Sequence, residues 1–148
     1  MIDAKNNKKK FSLPIELIGP RCTKMLDFYI DTGFNGTIKI NRETFNELGI
    51  VKTKEENVNL ADNSSNKAEI GRAKFKTDKL EGECDVFAFG WGGRNLLGVG
   101  FFSCAKCLLI VDYKDDGGVC FSNDRELASK IGKIIVEHQL NIIYLENK

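Results

Sequence analysis

Apolar and polar residues alternate in a series of short runs along the chain, a pattern that predicts half-buried β-strands. Many of these runs are rich in aromatic and β-branched side chains and are bounded by glycine, proline or asparagine. The predicted strands are residues 11–17, 25–30, 37–40, 58–60, 68–75, 84–89, 107–113, 119–121 and 141–145. Polar or glycine-rich segments separate 58–60 from 68–75 and 107–113 from 119–121, which indicates two β-hairpins. The chain is therefore predicted to be mainly β.

Helical signals occur at two places. Asn41 is a favourable N-cap for a short helix over residues 42–48, and Gly49 is well placed to end it. A second helix is predicted to begin at Asn123, which forms a capping-box pattern with Glu126 and precedes an amphipathic stretch.

Composition and charge set limits on the class of protein. A chain of 148 residues suits a single domain. Its 22 basic and 21 acidic residues leave a net charge of +1, so neither nucleic acid nor a membrane surface is predicted as a partner. The basic residues Lys8, Lys9 and Lys10 lie in a polar start without the apolar core of a signal peptide, and a flexible tail is expected there. A cytoplasmic location is the resulting expectation.

Five cysteines, an odd number without a secretory signal, argue against a disulfide framework. Cys104 and Cys107 have the spacing of a metal or redox site, but no second pair accompanies them and the sequence contains one histidine, His138. The thiols are predicted to be reduced, and no metal or cofactor is predicted.

Asp31 is the strongest candidate for a catalytic side chain. It follows the apolar predicted strand 25–30 and opens the triplet Asp31-Thr32-Gly33, where the glycine lets the backbone turn and approach a partner closely. Serine–histidine or cysteine–histidine catalysis would have to use His138, which is predicted to close the apolar face of the second helix.

The context of this triplet resembles that of the retropepsin-like aspartic proteases. An apolar strand leads into Asp31-Thr32-Gly33, a polar hairpin follows about thirty residues later, and Leu96-Leu97-Gly98 comes further on. This order is similar to the family's active-site loop, its flap, and the segment that passes behind the active-site loop. The segments 31–36, 60–62 and 96–98 look most like the small single-domain prokaryotic members, and the resemblance covers residues 11–121.

The resemblance implies an acid-protease β-barrel with one short helix after the active-site loop, and a protease domain at residues 11–121. Outside that range, the residue pattern predicts a flexible basic tail at 1–10 and a helix–strand extension at 122–148. This extension contains the extra C-terminal helix and is expected to pack on the same domain. Catalysis would depend on Asp31, Thr32 and Gly33. The residues implied in substrate binding are Phe34, Asn35, Gly36 and the flap residues Ala61, Asp62, Asn63 and Ser64.

Aspartic protease chemistry requires two carboxylates, and this chain has one such triplet. The implied enzyme is therefore a homodimeric endopeptidase in which Asp31 of each subunit activates water for hydrolysis of a peptide or protein substrate. Two departures from the family pattern, Asn63 at the flap tip and Gly100 after the Leu-Leu-Gly segment, favour an alternative, a non-catalytic dimeric peptide-binding or regulatory module. A metal or redox protein using Cys104 and Cys107 is the third hypothesis.

Overall fold

The computed structural model describes residues 2–6, 11–59, 64–90, 92–111, 119–122, 126 and 129–130. Strands dominate this part of the chain, in agreement with the predicted fold class. The strands are β1 Ile2–Asn6, β2 Phe11–Ile18, β3 Thr23–Ile30, β4 Ile38–Asn41, β5 Lys54–Asn59, β6 Ser65–Lys76, β7 Glu81–Phe89, β8 Leu96–Leu97, β9 Leu108–Val111 and β10 Val119–Ser122. The helices are α1 Arg42–Leu48 and α2 Val99–Cys104.

Six strands form a closed hydrogen-bonded circuit. Its order is β2, β3, β8, β4, β7 and β6, and pairing between β6 and β2 closes it. Strand β5 extends the sheet beyond β6, while β1, β10 and β9 extend it beyond β2. Closure leaves the backbone groups of these six strands paired on both sides over part of their length, which makes the circuit a rigid frame.

The main core lies on one face of this circuit. Alternate residues of β2, namely Leu13, Ile15 and Leu17, are buried there, as the alternating pattern predicts. Helix α1 adds Phe45 and Leu48 to the same cluster. Burial of these apolar side chains is the principal stabilising contribution to the fold.

Strand β8 lies between two strands that are distant from it in sequence. It pairs parallel to β3, with Tyr29 opposite Leu96, and antiparallel to β4, with Ile38 opposite Leu97. Strand β8 therefore separates the strand before the Asp31 loop from the strand after it.

Helix α1 confirms the capping prediction. The Asn41 side chain accepts a hydrogen bond from the Thr44 backbone N–H at 2.7 Å. Gly49 follows the helix in the left-handed conformation, with φ 72°, which favours glycine because it has no Cβ.

Helix α2 was not predicted from the sequence. Gly98 provides no side-chain cap, and Gly100 inside the helix has a low helical propensity. The helix instead forms because Phe101 and Phe102 are buried in the main core. There the ring centroids of Phe101 and Phe75 are 4.9 Å apart.

The N-terminal segment also differs from the flexible tail expected at residues 1–10, because Ile2–Asn6 forms strand β1. This strand pairs with both β2 and β10. Its partner β10 comes more than a hundred residues later, so local sequence gave no signal of the pairing. The hairpin predicted from the sequence near residues 107–121 is confirmed as the antiparallel pair β9 and β10.

The helix predicted from Asn123 and the strand predicted at 141–145 lie outside the described residues, apart from Glu126, Ser129 and Lys130. Glu126 and Lys130 form an ion pair of 2.9 Å. None of the helices in the described ranges has the length and apolar composition needed to cross a lipid bilayer.

Replacing Phe45 with Ala tests the attachment of α1 to the core. Phe45 is 1% exposed, so the substitution is expected to lower the free energy of unfolding by about 3–5 kcal/mol. The nearby Val51 is 71% exposed, and Val51→Ala is expected to change that free energy by less than about 0.5 kcal/mol. Denaturant titration measures both values, and equal effects would contradict the proposed packing.

Candidate active site

Asp31 lies directly after β3, in a tight turn that fixes its carboxylate. Its backbone N–H donates to the Leu97 carbonyl at 2.9 Å, which continues the β3–β8 ladder by one residue. The Gly33 N–H donates to Asp31 Oδ1 at 2.9 Å, and the Phe34 N–H donates to the Asp31 carbonyl at 3.1 Å. The carboxylate is partly exposed and is held by the rigid end of the sheet.

The loop after Asp31 packs against the start of α2. The N–H groups of Gly98 and Val99 donate to the carbonyls of Thr37 and Phe34 at 2.8 and 2.9 Å. A Cβ added to Gly98 would lie 2.1 Å from the Gly36 carbonyl oxygen and 2.3 Å from that of Phe34. Glycine is required at position 98 because two backbone segments meet there.

Gly100, two residues later in α2, makes a similar close contact with the Asp31 loop. Its N–H donates to the Gly36 carbonyl at 3.1 Å, and an added Cβ would lie 2.8 Å from the Asn35 carbonyl oxygen. The absence of a side chain at this position therefore has a structural cause, the close approach of α2 to the Asp31 loop.

One row of paired residues crosses five strands on the face opposite the main core. Strand pairing places Ile70 beside Phe87, Phe87 beside Lys39, Lys39 beside Leu96, and Leu96 beside Tyr29. The adjacent row, which includes Ile38, Val86 and Leu97, belongs to the main core. Because side chains alternate between faces, Asp31, two residues after Tyr29, is on the side of Lys39.

A second apolar cluster occupies this side of the sheet. It consists of Ala68, Ile70, Phe87 and Phe89, with the partly buried Phe34 and Val58 packed against it. The rings of Phe34 and Phe87 meet edge to face, with centroids 5.6 Å apart. The cluster thus connects the Asp31 loop to the hairpin formed by β5 and β6, and we call it the cleft wall.

Lys39 is the functional candidate that sequence reasoning missed. Its side chain is on the same face as the cleft wall and is 5% exposed. The ammonium donates to the Arg94 carbonyl at 3.1 Å and lies 5.7 Å from the centroid of the Phe89 ring. Burial lowers the pKa of Lys39, and the negative charge of Asp31 opposes that shift. The signal available in sequence was the apolar–charged–apolar pattern at 38–40, which by itself is typical of a solvent-exposed lysine.

The structure places the predicted loop residues together and leaves the flap tip untested. Thr32, Gly33 and Asn35 are exposed in the turn after Asp31, and Gly36 is partly exposed behind them. Ser64 is exposed immediately before β6. The predicted flap residues Ala61, Asp62 and Asn63 lie outside the described residues, and the roles of all these residues remain predictions.

Of the two cysteines of the CxxC segment, Cys104 is the last residue of α2 and Cys107 lies in the connection between α2 and β9. The Cys104 thiol donates to the Glu83 carbonyl, and the Cys107 thiol donates to the Ala105 carbonyl, each at 3.4 Å. Cys84 is buried, and burial raises the pKa of its thiol. Within the described ranges, no three histidine, cysteine or acidic side chains converge as a metal site would require.

Comparison with known proteins identifies the fold. Neither the search of protein-family models nor the search of curated proteins found a match. Among solved structures, the chain is similar to the crystal structure of a retropepsin-like aspartic protease from Rickettsia conorii. The TM-score is 0.55 at 20% sequence identity, over 82% of this chain and 89% of the other. The chain therefore has a retropepsin-like β fold.

Replacing Gly98 with Ala tests the contact behind the Asp31 loop. The added methyl group overlaps two carbonyl oxygens, so the free energy of unfolding is expected to fall by about 1–3 kcal/mol. Amide hydrogen exchange at Val99 is expected to accelerate, since its partner is the Phe34 carbonyl.

Gly92→Ala is the matched control, because nothing lies within 4 Å of a Cβ added there. Its effect on the free energy of unfolding is expected to stay within about 0.5 kcal/mol. Equal free energies of unfolding and equal exchange rates at Val99 in the two variants would contradict the close packing at Gly98.

Proposed function

We propose that this protein is an aspartic endopeptidase that acts as a homodimer, with Asp31 of each subunit forming the catalytic dyad. The observation that carries the proposal is the position of Asp31, which lies in a tight turn at the end of β3 with β8 packed behind it. The similarity to a solved retropepsin-like aspartic protease suggests a protease of that fold. We further propose that residues 11–121 form the protease domain.

The proposed reaction is hydrolysis of one peptide bond by one water molecule. One Asp31 carboxylate takes a proton from the water as its oxygen attacks the scissile carbonyl carbon. The other Asp31, protonated, donates its proton to the carbonyl oxygen. Collapse of the tetrahedral intermediate breaks the C–N bond. The leaving nitrogen takes up a proton from one carboxyl group of the dyad, and a hydroxyl group of the intermediate returns a proton to the other, so the dyad again holds one proton. The like charges of two close carboxylates favour a state in which they share one proton.

Each chain supplies one half of this arrangement, so a second copy must approach the Asp31 loop. Thr32 and Gly33 are exposed on that loop, and we propose that Thr32 hydrogen-bonds across the two-fold axis while Gly33 permits the close approach. Strand β9 offers a further contact. It pairs with β10 and, among the described strands, has no neighbour on its other side. An apolar edge strand, Leu108–Val111, is suited to pairing with another chain.

The substrate site proposed here is the space between the Asp31 loop and the β5–β6 hairpin. An extended peptide can add to such a site as a strand, with its side chains in alternating pockets. The partly exposed Phe34 and Val58 of the cleft wall would contact it, and the hairpin would close over it and exclude water. In this proposal Asn35, Gly36 and the flap residues 61–64 contact the peptide backbone.

One of the two observations that favoured the binding-module alternative has another explanation. Gly100 is required by the packing of α2 against the Asp31 loop, so its presence does not indicate loss of catalysis. Asn63 at the flap tip remains as the observation in favour of that alternative.

Asp31→Asn tests the catalytic assignment. The substitution keeps the size of the side chain but removes the acid, so cleavage of an unfolded protein substrate is expected to fall by at least about 10²–10⁴-fold. Asp27→Asn is the matched control, because Asp27 is exposed on β3, the strand that leads to Asp31. This substitution is expected to leave the rate unchanged. Peptide release followed by mass spectrometry gives both rates. Undiminished cleavage by Asp31→Asn would exclude the proposed mechanism.

Mixing wild-type protein with the Asp31→Asn variant tests the shared site. If the dyad needs one Asp31 from each of two subunits, random exchange in an equal mixture leaves about a quarter of the dimers with both acids. Activity per total protein is then expected to fall to about one quarter of the wild-type value. A value of about one half would mean that each chain acts alone, and sedimentation velocity on the same samples reports the oligomeric state.

A further inference from the structure

Lys39 is an unusual residue for the wall of a peptide-binding cleft. Among the described residues, the buried polar or charged side chains are Lys39 and Thr77. Thr77 binds the Leu80 backbone in a turn, whereas Lys39 is in the middle of the row that runs from Ile70 to Tyr29. Removing an ammonium group from water is unfavourable unless polar or charged groups compensate it.

The position of the ammonium relates it to the cleft rather than to the main core. It reaches the carbonyl of Arg94, just before β8, and the ring of Phe89, at the end of β7. The charge of Asp31 acts on it from the end of β3. Its neighbours in the row are Phe87 on one side and Leu96 on the other. A positive group therefore lies between the proposed catalytic acid and the apolar wall.

The cleft wall is partly exposed to solvent at two of its members. Phe34, which follows the catalytic triplet, and Val58, on β5, are both partly exposed where they pack against the buried members of the wall. A side chain of a bound peptide that extends past Phe34 would approach the ammonium of Lys39. The carboxylate of aspartate or glutamate is the side-chain group that gains most there, through a charge-assisted hydrogen bond in a partly desolvated site.

We propose that Lys39 determines specificity, by binding an acidic side chain of the substrate next to the scissile bond. The inference rests on the proposed endopeptidase function and adds a substrate class to it, peptides with aspartate or glutamate at one position near the cleaved bond. In this proposal Phe34 and Phe87, whose rings meet edge to face, contact the methylene groups of the acidic side chain. Lys39 is a specificity-determining residue here and takes no part in proton transfer.

The test compares peptides that differ by a single glutamate or glutamine, with the substitution moved through each position around the cleaved bond. At one position, wild-type protein is expected to cleave the glutamate peptide with a kcat/KM about tenfold higher than the glutamine peptide, a typical effect of one charge-assisted hydrogen bond. Lys39→Met keeps the apolar stem and removes the charge. It is expected to reduce this ratio to about one while retaining cleavage of the glutamine peptide.

Lys74→Met is the matched control, because Lys74 is exposed on β6 and its loss changes the net charge by the same amount. This variant is expected to keep the wild-type preference. A merely structural role of Lys39 would lower cleavage of both peptides equally and leave the ratio unchanged, and that result would overturn the inference. So would a wild-type protein that shows no preference for glutamate at any position.

Binding of the same peptides to the Asp31→Asn protein separates this inference from the proposed catalysis. One outcome is that wild-type protein cleaves no peptide, while the Asp31→Asn protein binds glutamate peptides more tightly than glutamine peptides and Lys39→Met removes this difference. That outcome would support the acidic subsite and reject the protease activity. Equal binding of all peptides in fluorescence anisotropy, together with no cleavage, would reject both proposals. Cleavage without a preference that depends on Lys39 would support the protease function and reject the subsite.

Discussion

The contact between the Asp31 loop and the segment Leu97–Gly100 is the constraint on which the rest of the site depends. Backbone groups of Asp31, Phe34, Gly36 and Thr37 all bond to this segment. The two stretches approach so closely that a single methyl group at Gly98 would overlap two carbonyl oxygens. Since backbone hydrogen bonds join the loop to this segment, the contact does not depend on the rotamers of the surrounding side chains. A catalytic acid needs this kind of rigid support if two copies are to meet in one geometry.

Strand β8, which leads into this contact, contributes one residue to each face of the sheet. Leu97 joins the row of Ile38 and Val86 in the main core, whereas Leu96 joins the row of Lys39 and Phe87 on the face of the cleft wall. The Asp31 carboxylate is therefore at the boundary between a fully apolar interior and a wall that carries one buried cation. An acid and an ammonium in this partly desolvated region interact more strongly than they would in water. The proposed chemistry and the proposed specificity both arise from this arrangement.

Two exposed features of the described residues bear on the proposed self-association. The Asp31 loop presents Thr32 and Gly33 outward, and β9 leaves one edge without a described partner. The proposed dyad takes one acid from each chain, so it would be incomplete in a monomer. In the proposed function, catalysis and dimer formation therefore depend on the same loop.

Local sequence was sufficient where the signal is itself local. Alternation of apolar residues predicted β2 and β6, because a strand with one buried face has a period of two. Aromatic and β-branched residues predicted β3. Asn41 and Gly49 predicted α1, because capping depends on adjacent backbone groups. Asp31, Thr32 and Gly33 could be selected as candidates, because an acid and a glycine after an apolar strand form a recognisable turn.

Tertiary structure decided the features that depend on distant partners. Strand β1 forms by pairing with β10, and α2 forms by burying Phe101 and Phe102, although its own sequence has weak helical signals. The insertion of β8 between β3 and β4 explains why Gly98 and Gly100 have no side chain. The position of Lys39 follows from the pairing of three separate strands, β4, β7 and β8, since the pattern at 38–40 is equally compatible with a lysine in water. The sequence by itself selected the candidate residues of one loop, whereas only long-range packing decided what surrounds them, because the pairing of distant strands leaves no periodic signal in either partner.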